Sequence, residues 1–121
     1  MPDLKLRQIH AVMLGVRDLE RSVEFYRDKL GMIVKDQTPN FAFLDGGGVM
    51  LMLSLPLGRA SETLSGATEV VFSVEGVRAA RQALGERSVE FFIEPRNVAA
   101  QFWAANFHDP DGHNLSIFGL P

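Results

Sequence analysis

The sequence has no cysteine among its 121 residues, which excludes a disulfide framework, a thiolate zinc site and a cysteine nucleophile. No apolar run approaches the roughly 18 residues that a membrane-spanning helix needs, so no membrane partner is expected. Positive charge is not in excess: 12 Lys and Arg stand against 15 Asp and Glu, for a net charge of −3. The basic residues are scattered, which argues against a phosphate-backbone footprint and so against nucleic acid as a partner. The opening Met1-Pro2-Asp3-Leu4-Lys5 lacks a basic and then apolar signal region, and the expectation is a soluble cytoplasmic protein.

What is present is 46% hydrophobic and 22% charged, the balance of one ordinary globular domain spanning residues 1–121. From Ile9 to Val16 the segment reads as extended, with His10, Val12, Leu14 and Val16 on one face and Ile9, Ala11 and Met13 on the other. Asp18 stands as a helix N-cap, Leu19, Val23, Tyr26 and Leu30 follow at helical spacing, and Gly31 reads as the stop. Met32-Ile33-Val34, Phe41 to Leu44 and Val49 to Leu55 are the next strands, the last two joined by a turn at Asp45-Gly46-Gly47-Gly48.

A linker over about 57–66 is expected from its Gly and Ser content, and the pattern then repeats. Glu69 to Val74 reads as a strand, Val77 to Leu84 as a short helix with Gly85 as its stop, and Val89 to Ile93, Ala100 to Phe107 and Asn114 to Phe118 as three more strands. The order is strand, helix and three strands, twice, with His10 and Glu69 at matching places. The class is therefore α+β, with one βαβββ module over about 8–56 and another over about 67–119. Pairing the two modules into one curved mixed sheet would leave a concave cleft.

Ile9-His10-Ala11-Val12, the run from Val16 through Asp18-Leu19 to Phe25-Tyr26, Leu30-Gly31-Met32 and Asp109-Pro110-Asp111-Gly112-His113 together resemble the vicinal oxygen chelate superfamily. That superfamily includes glyoxalase I, bleomycin and fosfomycin resistance proteins and extradiol dioxygenases. The resemblance runs from about Ile9 to Phe118. It implies paired βαβββ modules, a homodimer, and a cleft in which a divalent metal is chelated by neighbouring oxygens of the substrate. Its four ligand positions map onto His10, Met52, Glu69 and Ser116, where metal-dependent relatives usually carry His, Glu or Gln. Met52 offers only a thioether and Ser116 a neutral hydroxyl. A divalent metal is thus expected to be held weakly by His10 and Glu69, and the leading expectation is no cofactor at all.

Four functional readings follow, the last being a structural or partner-binding module with no ligand. The first is a small-molecule-binding protein of the glyoxalase and bleomycin-resistance type with a degenerate metal site, holding an apolar or aromatic ligand against Met52, Phe43, Trp103, Phe107 and Ser116. The second is a divalent-metal-dependent lyase or dioxygenase in which His10 and Glu69, from one chain or one from each of two, hold the ion and substrate oxygens complete its shell. The third is a metal-free enzyme in which those two side chains face one another as general acid and base. Trp103 and Phe107 share strand parity, so both would stand on one wall. Asp109-Pro110-Asp111-Gly112 reads as a structural turn flanked by exposed His108 and His113. Arg59, Arg78 and Arg96 read as solvated single charges, any one of which could meet a carboxylate at the cleft rim.

Overall fold

The computed structural model of the chain describes Leu4 and residues 8–61 and 68–121. Met1 to Asp3 and Lys5, part of the linker and the first residue of the second module lie outside the described residues. The first module is β1 (Ala11–Gly15), α1 (Leu19–Glu24) continued by a π-helical turn (Phe25–Lys29), β2 (Val34–Gln37), β3 (Phe41–Asp45) and β4 (Met50–Ser54). A short helix, α2 (Leu55–Ala60), follows. The second module is β5 (Glu69–Gly76), α3 (Val77–Glu86), β6 (Phe91–Ala99), β7 (Phe102–His108) and β8 (Asn114–Leu120).

The repeat read in the sequence is a repeat in hydrogen bonding. One sheet runs β1-β4-β3-β2 and the other β5-β8-β7-β6, each with its first strand parallel to its last and the other pairs antiparallel. The expected curved sheet thus takes the form of two four-stranded mixed sheets, with β1 and β5 at corresponding edges. Alternation sorts each strand into two faces. Leu14, Leu44, Leu51 and Leu53 of the first sheet and Ala105, Phe107, Leu115 and Ile117 of the second join α1 and α3 side chains in one core. The opposite faces are open.

Asp18 caps α1 as expected, accepting from the Arg21 N–H at 3.0 Å, and Gly31 takes the left-handed conformation, φ 75°. The π-helical turn brings the consecutive rings of Phe25 and Tyr26 both inward, where Phe25 meets Phe107 of the second module at 6.5 Å between centroids. Two expectations are corrected. The start of the presumed linker is helical: Ser54 accepts from the Leu57 N–H at 3.0 Å as N-cap, and Pro56 sits in the first turn, where its missing N–H costs nothing. Gly85 does not stop α3, which runs on to Glu86; Ser88, φ 66°, takes the left-handed turn instead.

The two modules are joined through a turn and a helix. Asp111, on the β7–β8 turn, has a fully buried carboxylate that accepts from Arg21 Nη2 and Ser22 Oγ of α1, each at 3.0 Å, and from the Arg17 N–H at 3.2 Å. Asp109 accepts from the Tyr26 hydroxyl at 2.8 Å and, through its other oxygen, from the N–H groups of Asp111 and His113. His113, expected to be exposed, is half-buried; its Nε2 lies 2.6 Å from the Gly15 carbonyl oxygen, an acceptor only, so that nitrogen carries the proton. Burial raises the Asp109 carboxyl above the ordinary aspartate range, opposed by the hydrogen bonds from Tyr26 and the backbone.

Removing the Asp111 carboxylate strands the Ser22 hydroxyl and the Arg17 N–H, so Asp111→Ala is expected to cost about 3 kcal/mol in urea unfolding. Asp109 gives a pH signature. Its folded value lies above the ordinary 3.8, so between the two the folded state holds a proton that the unfolded chain has released. Its contribution is present below 3.8 and declines as pH rises through the raised value. In Asp109→Asn, which keeps an acceptor for both backbone N–H groups, the wild-type-minus-variant difference in unfolding free energy, measured from pH 3 to 7, should fall with rising pH.

Candidate functional site

The open faces hold the residues that neither core nor clasp accounts for. On the first sheet, Ala11 and Met13 of β1 pair with Met50 and Met52 of β4, and Phe43 of β3 pairs with Met52. Because Leu14, Leu51, Leu53, Ala42 and Leu44 point into the core, Met13, Met50, Met52, Phe41 and Phe43 share the opposite face. Met13 is 43% exposed, and the Phe41 and Phe43 rings lie 6.3 Å apart. This face is a patch of thioethers and rings, bordered by the exposed carboxylates of Asp45, in register with Met50, and Asp36, in register with Phe43.

The second sheet's open face is polar at its centre. Glu69 at the start of β5 accepts from Ser116 Oγ of β8 and from Asn106 Nδ2 of β7, both at 2.9 Å, one on each carboxylate oxygen. Asn106 Oδ1 in turn accepts from Arg96 Nη1 of β6 at 2.8 Å, and the same nitrogen donates to the Ala104 carbonyl at 3.0 Å. The carboxamide orientation follows from its neighbours, since a guanidinium requires the oxygen and a carboxylate the NH₂. Ser116 and Asn106 are buried beneath this network. Phe102 and Phe118 stack beside it at 5.1 Å and 21°.

Of the residues singled out in the sequence, Glu69 and Ser116 are brought together, while Met52 and Phe43 stand on the other sheet's open face. His10 is not joined to Glu69. It precedes β1 by one residue, is exposed, and lines a shallow depression of about 300 Å³ with Gln8, Lys35, Asp45 and Met50. The β1 residues on the open face are Ala11 and Met13, so an imidazole at 10 falls outside the register that faces Met50 and Met52. Within one chain His10 and Glu69 therefore form no acid and base pair.

Trp103 and Phe107 do share a face, but it is the helix side. Phe107 is fully buried against Phe25 and Phe91, and the Arg78 guanidinium of α3 lies 4.4 Å from the Trp103 ring centroid. Neither is a wall of the open face. Asn106 is the addition that sequence reasoning left out of the site, and Arg96 was singled out only as one of three arginines that could meet a carboxylate at the rim; a lone Asn inside the apolar run Trp103-Ala104-Ala105-Asn106-Phe107 was the available signal.

A metal ion fits poorly. Among the described residues no three His, Cys, Asp or Glu side chains converge. The one carboxylate at the mapped positions has both oxygens engaged by neutral donors, and a guanidinium is one carboxamide away. Hard divalent ions require several oxygen or imidazole ligands together.

Comparison with known proteins follows this geometry. Residues 8–117 match the family model of the Glyoxalase/Bleomycin resistance protein/Dioxygenase superfamily. The chain is 28% identical over 116 residues to the glutathione transferase FosA of Serratia marcescens, covering 93% of this chain and 80% of that protein. It is 30% identical over 132 residues to the uncharacterized protein YraH of Bacillus subtilis, covering 97% and 99%. Among solved structures, a glyoxalase/bleomycin resistance protein/dioxygenase from Nocardioides superposes with a TM-score of 0.80 at 28% identity, over 98% of this chain and 86% of that one. A lactoylglutathione lyase from Agrobacterium tumefaciens, at 18% identity and a TM-score of 0.78 over 93% and 92%, shares the fold.

The bridging role of Asn106 is open to measurement. Asn106→Ala leaves the Glu69 carboxylate and the Arg96 guanidinium each short of a partner, and a loss of about 2 kcal/mol is expected by urea unfolding. Ser116→Ala, which removes one donor at a more easily hydrated carboxylate, should cost about 1 kcal/mol.

Proposed function

The chain belongs to the glyoxalase/bleomycin resistance protein/dioxygenase superfamily, and from that premise we propose that it binds a small apolar or aromatic molecule on its open sheet faces without a metal ion. The observation that carries this reading is the occupation of Glu69 by Ser116 and Asn106. Where the resemblance calls for a cation held by side chains, this chain has a closed set of hydrogen bonds, and orienting a ligand there falls to organic groups. The patch of Met13, Met50, Met52, Phe41 and Phe43 supplies apolar area, and thioethers adapt to irregular ligand outlines.

The same reading includes a homodimer. Both sheets turn their helix sides to one shared core, so the two open faces of one chain are left without cover; Met13 is 43% and Val71 53% exposed. A second copy that lays its methionine-rich face over the Glu69 face would enclose a cleft from both directions, and burial of this apolar area favours that association.

Calorimetric titration with 1-naphthol tests the binding reading. Saturable binding is expected without metal, unchanged by added Mn²⁺ or Ni²⁺, and weakened roughly tenfold in Met52→Lys, which places a charge in the patch. Binding seen only with metal, or no binding at all, would sink it. For the dimer, sedimentation equilibrium should give twice the chain mass for wild type and a shift toward monomer for Met13→Lys, whose introduced ammonium would have to be desolvated at the interface.

A further inference from the structure

On the second sheet's open face a cation and an anion stand close together without pairing. The ion pairs among the described residues are Arg21 with Asp111, Arg27 with Asp28 and Arg81 with Glu94; Arg96 and Glu69 take part in none. Each instead binds one end of the same neutral carboxamide, Arg96 through Asn106 Oδ1 at 2.8 Å and Glu69 through Asn106 Nδ2 at 2.9 Å. The carboxamide holds the two charges apart, oriented so that both are stabilised and neither is neutralised. Only Nη1 of Arg96 is engaged, on Asn106 and Ala104, which leaves the Nε and Nη2 edge of the guanidinium fork to a planar oxyanion.

The surroundings are apolar on both flanks. Phe118 lies in register with Ala104, the partner of Arg96 across β6 and β7, so the short Ala104 side chain forms a floor between guanidinium and ring. Val71 lies in register with Ser116, beside the Glu69 contact, and is 53% exposed. The space between the charges therefore offers apolar contact to a flat body, while its two ends demand opposite charges.

We propose that the ligand of this face is zwitterionic: an aromatic or apolar body carrying a carboxylate that meets Arg96 and an ammonium that meets Glu69, at a separation set by the Asn106 side chain. The inference rests on the small-molecule-binding reading above and narrows it to a ligand class. A ligand with only a carboxylate would satisfy one end and leave Glu69 beside its ring; the dipolar ligand satisfies both.

Four matched compounds test it by calorimetry: para-aminomethylbenzoate, para-methylbenzoate, para-methylbenzylamine and the neutral para-methylbenzamide. The zwitterion should bind most tightly, with each charged group worth roughly tenfold over its neutral replacement. Arg96→Gln should erase the advantage of the carboxylate and leave that of the amine, and Glu69→Gln should do the reverse. Both variants keep a hydrogen-bonding side chain toward Asn106, and thermal melts without ligand should stay near wild type; a variant that melts early is replaced by Arg96→Lys, which keeps the charge but loses the planar fork, or by Glu69→Asp, which shortens the reach. Equal binding of all four compounds, or charge preferences that survive the substitutions, overturns the zwitterion inference and leaves the binding reading standing. If even the neutral benzamide and 1-naphthol fail to bind, the binding reading falls and takes this inference with it.

Discussion

A carboxylate taken wholly out of water is unfavourable unless its lone pairs are met by donors. Asp111 is such a group, and the donors that meet it come from the other half of the chain: a backbone N–H at Arg17, the Ser22 hydroxyl and the Arg21 guanidinium. Because the loss of any one leaves a buried charge under-satisfied, the β7–β8 turn and the start of α1 have one favourable relative position. Asp109 reinforces it from the same turn, gripping Tyr26 one helical turn along. With helix and turn locked, Phe25 is placed on Phe107 and the helix sides of both sheets share one core. Which faces stay open is therefore decided by this contact more than by the sheets themselves.

The open faces then differ in what they can hold. Asn106 is the hinge of that difference, because a carboxamide has a donor end and an acceptor end and so can serve a carboxylate and a guanidinium at once. Its presence disfavours a divalent ion twice: it occupies one oxygen of Glu69, and it anchors Arg96, a side chain that cannot ligate, where a hard ion needs a further oxygen or imidazole. Ser116 occupies the other oxygen. No buried side-chain nitrogen or oxygen among the described residues lacks a partner, so the groups of this polar centre are already oriented.

Much of the fold was legible because burial writes itself as periodicity. The α1 stripe of Leu19, Val23 and Tyr26, the Asp18 cap, the glycine turn after Asp45 and the repeated element order were read from spacing alone and recur in the structure. The misses have local causes. Pro56 and Gly58 read as breakers, yet Pro in a first helical turn is tolerated, and Gly58 packs so closely on the Val16 carbonyl that any larger side chain would collide with it. His10 entered the site through the family resemblance; its segment, Ile9 to Val16, is apolar on both faces, so spacing left open which parity faces the helix, and the structure puts Val12, Leu14 and Val16 there. The same ambiguity put Trp103 and Phe107 on the wrong side. Shared parity says that two rings stand together and is silent about which side they take.

The two modules preserve strand order, register type and helix placement while their open faces have parted: Met13, Met50 and Met52 with Phe41 and Phe43 in one, Glu69, Arg96, Asn106 and Ser116 in the other. Burial explains why the divergence falls there. A core position such as Leu53 or Leu115 must match the volume of its neighbours, whereas an open-face position is constrained only by what settles on it. In the proposed dimer, an apolar face set opposite a dipolar one would suit a ligand of the same asymmetry, with a flat apolar body on one side and charges at its ends on the other. The backbone repeat supplies the two surfaces, and the clasp at Asp111 turns both outward.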